Sequence, residues 1–139
     1  EFNVAAFEKK AATVLDFLRY KDFDLNILLT TSKSVRKYNK QFRSKDKATD
    51  ILSFPFHPEL VAGDKIKPLT DDDKAIGDII ISLEYVLADK HKLGGTFMQR
   101  MNRMLVHGVC HCLGHDHIED EEYKIMFALE KKLLSLIQK

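Results

Sequence analysis

The sequence predicts a single α+β domain, or a three-layer αβα arrangement, over residues 1–139. Five segments carry apolar residues at helical spacing, while only three short segments read as strands. The 139 residues are 45% apolar, which suits one compact core, and no repeat, low-complexity tract or linker divides them. In order, Asn3 to Arg19 reads as a helix, with Val4, Phe7, Ala11, Val14, Leu15 and Leu18 on one side. Phe23 to Thr30 alternates and is rich in β-formers, so it is a strand. Ser32 or Ser34 is placed to cap a helix that runs to about Phe42. Asp50 to Phe56 reads as a strand that Pro55 makes an edge or an end. His57 to Ala75 holds two prolines and a run of three aspartates, and is a long loop of the kind that is functional or mobile. Ile76 to Leu83 is a buried strand and Glu84 to Lys92 a short helix ended by Gly94-Gly95. Thr96 caps a helix to about Leu113, and Asp120 to Ile137 is a last amphipathic helix with Ile125, Met126, Leu129, Leu133 and Leu136 as its stripe.

Composition excludes several classes. No apolar run reaches the roughly 18–20 residues of a membrane span, so no membrane partner is expected. Scattered charges over Glu1 to Tyr20 do not resemble a secretory leader. Two cysteines, Cys110 and Cys112, cannot make a disulfide framework, and an intracellular chain is expected. The formal charge of +1 argues against a uniformly basic nucleic-acid binder.

Four of the six histidines fall within eleven residues, His107-Gly-Val-Cys-His111-Cys-Leu-Gly-His115-Asp-His117. His107 and His111 stand one turn apart on one face of the expected helix, a spacing at which two imidazoles reach one ion. Gly114 can break the helix in a left-handed conformation and let His117 return as a third ligand. Three protein ligands with an open position is the arrangement of a catalytic zinc site, which lowers the pKa of bound water towards about 7. His115 alternates away from His117 and suits a pocket wall. Cys110 and Cys112 lie off the His107/His111 face and suit helix packing. The spacing equals that of the metzincin peptidases, H-E-x-x-H-x-x-G-x-x-H, but the general-base glutamate is Gly108 here, which disfavours a peptidase.

The pattern H-G-x-x-H-x-x-G-x-D-H closely resembles the signature of the YbeY family. Arg43-Ser-Lys-Asp-Lys-Ala-Thr-Asp-Ile-Leu-Ser-Phe-Pro-Phe56 is similar to that family's R-x-x-D-x-x-T-[ND]-V-L-S-F-P-F segment, and Ile76-Gly-Asp-Ile-Ile-Ile-Ser82 to its L-G-D-I-x-I-S strand. The resemblance implies a zincin-like sandwich of a small mixed sheet with helices, its metal site on a helix and the following turn. It implies a metal-dependent, single-strand-specific endoribonuclease of small-subunit ribosomal RNA maturation and ribosome quality control. Its partners would be ribosomal RNA, the small ribosomal subunit and assembly factors, in a bacterial cytoplasm or an organelle matrix. His107, His111 and His117 carry over as ligands of one divalent ion, with Zn2+ the default and Ni2+ or another transition metal an alternative. Arg43 carries over as the arginine of the cleft, and Asp78 as a contact to a small-subunit protein. Three positions depart from the family. His115 stands at a usual aromatic, and Cys110 and Cys112 stand at usual leucines, where thiols would add redox sensitivity.

Charge is unevenly spread. Seven cations between Lys33 and Lys47, opposed only by Asp46, give that stretch a local balance of +6. Lys40, Lys45 and Arg100, the last two turns before His107 on nearly the same face, form a candidate phosphate track towards the metal. The expected chemistry is hydrolysis of an RNA phosphodiester, with Arg43 stabilising charge on the phosphorane. His115 or Asp116 is a candidate proton relay, and Asp116 alternatively orients a ligand imidazole. Two other readings stay open: an assembly factor whose metal is structural, and a metal-dependent hydrolase of another substrate.

Overall fold

A computed structural model of the chain describes residues 2–138, so Glu1 and Lys139 of the expected domain lie outside the described residues. The elements run α1 (Val4–Phe17), β1 (Asp24–Thr30), α2 (Ser32–Arg43), β2 (Ile51–Pro55), β3 (Ala75–Ser82), α3 (Leu83–Leu93), α4 (Phe97–Cys112) and α5 (Asp120–Ile137). Local chemistry sets the helix ends. Asn3 caps α1 by accepting the Ala6 N–H, and Thr96 with Gln99 forms a reciprocal capping box on α4. The cap of α2 is Thr31, whose hydroxyl accepts the Ser34 N–H at 3.2 Å, rather than Ser32 or Ser34. Thr31 is the last extended residue, so its side chain reaches N3, whereas Ser32 is already helical. Ser44 takes a left-handed conformation, φ +57°, and stops α2 just after Arg43.

Among the described residues the sheet has three strands in the order β1-β3-β2. β3 is central, parallel to β1 and antiparallel to β2. Pro55 ends the edge strand β2, where its missing N–H does no harm. Alternation along β3 splits the interior. Ile79 and Ile81 face α4 and join Leu105, Val106, Val109, Met126 and Leu133 in the main core. Ile80 faces the other way and forms a small cluster with Leu52 and Val35 of α2. The result is an α+β sandwich, with α2 on one face of a mixed sheet and α4, backed by α1 and α5, on the other.

Two glycines fix α4 in place. A Cβ on Gly108 would stand 2.8 Å from Ile79 Cδ1 and 3.1 Å from Ile51 Cδ1. The helix is therefore pressed onto the sheet at the position where a metzincin carries its glutamate, and a side chain there would have to displace Ile79 and Ile51. Gly114 has φ +92°, and a Cβ on it would run into the Leu60 carbonyl. The 57–75 loop thus crosses directly over the turn after α4.

Candidate metal centre

His107 and His111 lie one turn apart near the end of α4, with ring centroids 4.4 Å apart. The turn after the helix is closed by Gly114 N–H to the His111 carbonyl at 3.1 Å and His115 N–H to the Cys110 carbonyl at 3.0 Å. It returns His117 to within 5.6 Å of the His107 ring centroid and 5.2 Å of that of His111. One ligand atom from each of the three histidines lies within 4.8 Å of the other two.

The tautomers follow from the partners. His111 Nδ1 donates to the His115 carbonyl at 2.9 Å, and a carbonyl can only accept. His107 Nδ1 lies 2.8 Å from the Glu130 carboxylate, which holds the proton on that nitrogen. Both Nε2 atoms are then left to face each other, 3.0 Å apart. Two bare lone pairs at that distance repel, so a cation, proton or metal, belongs between them. Burial first, then the neighbouring His107, holds the His111 pKa below the ordinary imidazole value and favours the neutral, ligating form. The donor set therefore fits a divalent ion of the kind imidazole binds. Among the described residues the cluster comprises these three histidines alone.

Arg43 lines a cleft of about 450 Å³ together with Ser53, His107, His111, His115 and Asp116. Its guanidinium donates to the Ser53 carbonyl at 2.5 Å and lies 5.2 Å from the centre of the Phe54 ring. The +6 stretch thus delivers its last helical cation to the histidines. His115 is buried on the cleft wall, where burial lowers its pKa, and its Nδ1 has no hydrogen-bond partner among the described residues. The backbone carbonyl of His115, not its ring, holds a cluster imidazole. Asp116 accepts the backbone N–H of His117 at 2.7 Å. The carboxylate against a cluster ring is Glu130 on α5, which the sequence reading missed.

Other expected residues lie elsewhere. Arg100 donates to the Leu93 and Gly94 carbonyls at 3.2 and 3.3 Å and so satisfies the end of α3; it is not a wall of the histidine cleft. Arg103, three residues on, is the α4 cation in a groove shared with His107. Lys40 and Lys45 are exposed at the end of α2 and beyond, outside the cleft walls. Asp78 is exposed on the α2 face of β3, where it accepts from Asn26 Nδ2 at 3.0 Å. Cys110 and Cys112 are buried in the main core, and burial pushes both thiols up, that of Cys112 to about 12. Both thiols are sealed from solvent, and burial favours their protonated, less reactive form. Among the described residues no helix is long and apolar enough to cross a membrane.

Comparison with known proteins agrees with this geometry. A family model described as endoribonuclease YbeY matches residues 1–138. A Sulfurihydrogenibium protein named endoribonuclease YbeY is 40% identical over 121 residues, covering 86% of this chain and 74% of its own. An Agrobacterium fabrum protein of that name is 34% identical, covering 99% and 83%, and a human one is 34% identical, covering 94% and 77%. The solution structure of a Thermotoga maritima protein matches with a TM-score of 0.66 at 24% identity, over 99% of this chain and 84% of that one, and shows the same fold. With the whole described chain matched and three ring nitrogens gathered where the family motif falls, this chain belongs to the YbeY endoribonuclease family.

Proposed function

We propose that this chain is a metal-dependent endoribonuclease that cleaves single-stranded RNA, acting in the maturation of small-subunit ribosomal RNA and in ribosome quality control. The observation that carries the reading is one cleft lined both by Arg43 and by two members of the histidine cluster, His107 and His111. His107, His111 and His117 hold one divalent ion, Zn2+ by the preference of imidazole donors and with Ni2+ as an alternative. When bound, such an ion supplies Lewis acidity and activates water at neutral pH.

The chain's own residues do the rest. Glu130 and the His115 carbonyl orient two of the ligand rings and hold their protons on Nδ1. Arg43 is fixed by Ser53 and Phe54, and its other N–H donors serve the phosphate as negative charge grows on it. Gly108 offers no base, so a proton leaving the attacking water passes to Asp116 or His115 on the same wall. Lys40 and Lys45 attract the strand from outside the cleft, where exposed lysines act as point charges. Asp78, exposed on the other face of the sheet, is the residue that meets a protein of the small subunit in this reading. The working compartment of such an enzyme is a bacterial cytoplasm or an organelle matrix.

A structural-metal reading would require a closed site. Cys110 and Cys112 are sealed in the core, and no fourth ligand joins the three histidines among the described residues. The test compares purified protein on single-stranded RNA and on casein, with and without chelator, beside the His111→Ala variant. RNA cleavage that chelator and His111→Ala both abolish, with casein intact, supports the nuclease. Equal RNA cleavage by His111→Ala reveals a contaminant and contradicts it.

A further inference from the structure

We propose that the groove between α4 and α5 is a stacking site for an unpaired RNA base, a subsite which rests on the nuclease reading above and adds where the strand lies. α5 buries Met126, Leu133 and Ile137 in the core. That leaves Tyr123 and Phe127, four apart, on a different side of the helix. They are 52% and 50% exposed, and their rings lie nearly parallel, 17° apart in plane with centroids at 5.9 Å. Core packing does not account for two large rings held half in water.

The pair lines a groove of about 800 Å³ together with Arg103 and His107 of α4 and Glu130 and Lys131 of α5. Three features select the occupant. Flat aromatic faces bind any base through its π-face, without a sequence code. Arg103 and Lys131 supply positive charge for the phosphates that a base brings with it. Glu130 and Asp50 set two carboxylates against these two cations in the same lining, with the Glu130 carboxylate turned to His107, so the rings carry the selection and the cations place the phosphates. The groove also meets the metal cleft at His107, which lines both. A nucleotide stacked here therefore lies next to the histidine cluster, and its neighbour in the strand can reach Arg43. Asp50 also lines both spaces and can accept a hydrogen bond from a base amine. A duplex buries its base faces, so such a subsite prefers single strands.

The chain has no tryptophan, so Phe127→Trp introduces a single reporter. Metal-loaded protein carrying that substitution is titrated on ice with a short 2′-O-methyl uridine oligonucleotide, checked on a denaturing gel to be intact after the titration, and with an abasic strand of the same length. The oligonucleotide is expected to quench the indole emission, and the abasic strand to bind more weakly without quenching. Replacing both rings, Tyr123→Ala with Phe127→Ala, is expected to raise the Kd of the oligonucleotide about tenfold or more. The Kd of the abasic strand should not move, and Phe127→Tyr should keep wild-type affinity. Equal affinity of wild-type protein for both strands overturns the subsite. So does an unchanged Kd in the double-alanine protein whose RNA cleavage is still abolished by His111→Ala, in which case the nuclease reading survives alone. A change of oligomeric state in that variant with RNA binding intact makes the face a contact between copies instead. Wild-type protein that neither binds nor cleaves RNA removes the nuclease reading itself.

Discussion

The two faces of the sheet do different work. Under α4, Ile79 and Ile81 are sealed into a core that continues through α1 and α5. Under α2, the buried cluster is Val35, Leu52 and Ile80. Each large apolar side chain contributes roughly 1.5–3 kcal/mol when fully buried, so α4 is anchored far more firmly than α2. The histidines sit on the firmly anchored side, where ligand atoms must hold positions to a fraction of an ångström. The lysines and Asp78 sit on the lightly packed side, where long-range charge and an exposed contact tolerate movement. Arg43 is the exception, since it leaves the end of α2 and enters the cleft at the β2 edge.

Substitutions on the α4 side should therefore cost most. His111→Ala removes a ligand from a three-ligand site, and metal content measured after dialysis should fall to background. Glu130→Gln keeps the shape but weakens the hold on His107, so metal affinity by competitive titration should drop about 10–100-fold. An unchanged affinity would mean that the ring is held by α4 alone. Gly108→Ala pushes a methyl towards Ile79 and Ile51 and should lower stability by about 1–3 kcal/mol in urea unfolding. The α2 side should yield least. Lys40→Ala with Lys45→Ala should leave metal content and stability unchanged and weaken RNA binding a few-fold. The slope of log affinity against log salt should shrink by about 0.7 per lysine.

The sequence exposed local relations and hid those that depend on packing between distant elements. Histidines at i and i+4, with Gly114 before the third, are a property of one helix and one turn, so the cluster was visible in advance. The strands and the buried character of β3 were legible for the same reason, although the order β1-β3-β2 was not. Glu130 was invisible because it meets His107 from a helix 23 residues away. A carboxylate among the residues of an amphipathic helix that pack near the core was its only signal. Helical arithmetic aligned Arg100 with His107 but could not show the free carbonyls at the end of α3, to which its guanidinium donates. Tyr123 and Phe127 carry their meaning only once α4 supplies the facing wall.

The central claim is that Arg43 and the histidine cluster act on one phosphodiester. The most direct measurement is single-turnover RNA cleavage by Arg43→Ala, alongside its metal content. The rate of the chemical step should fall by about 10²–10³, as when one donor to a developing charge is removed, with bound metal equal to wild type. Cleavage at the wild-type rate by fully loaded Arg43→Ala would contradict it.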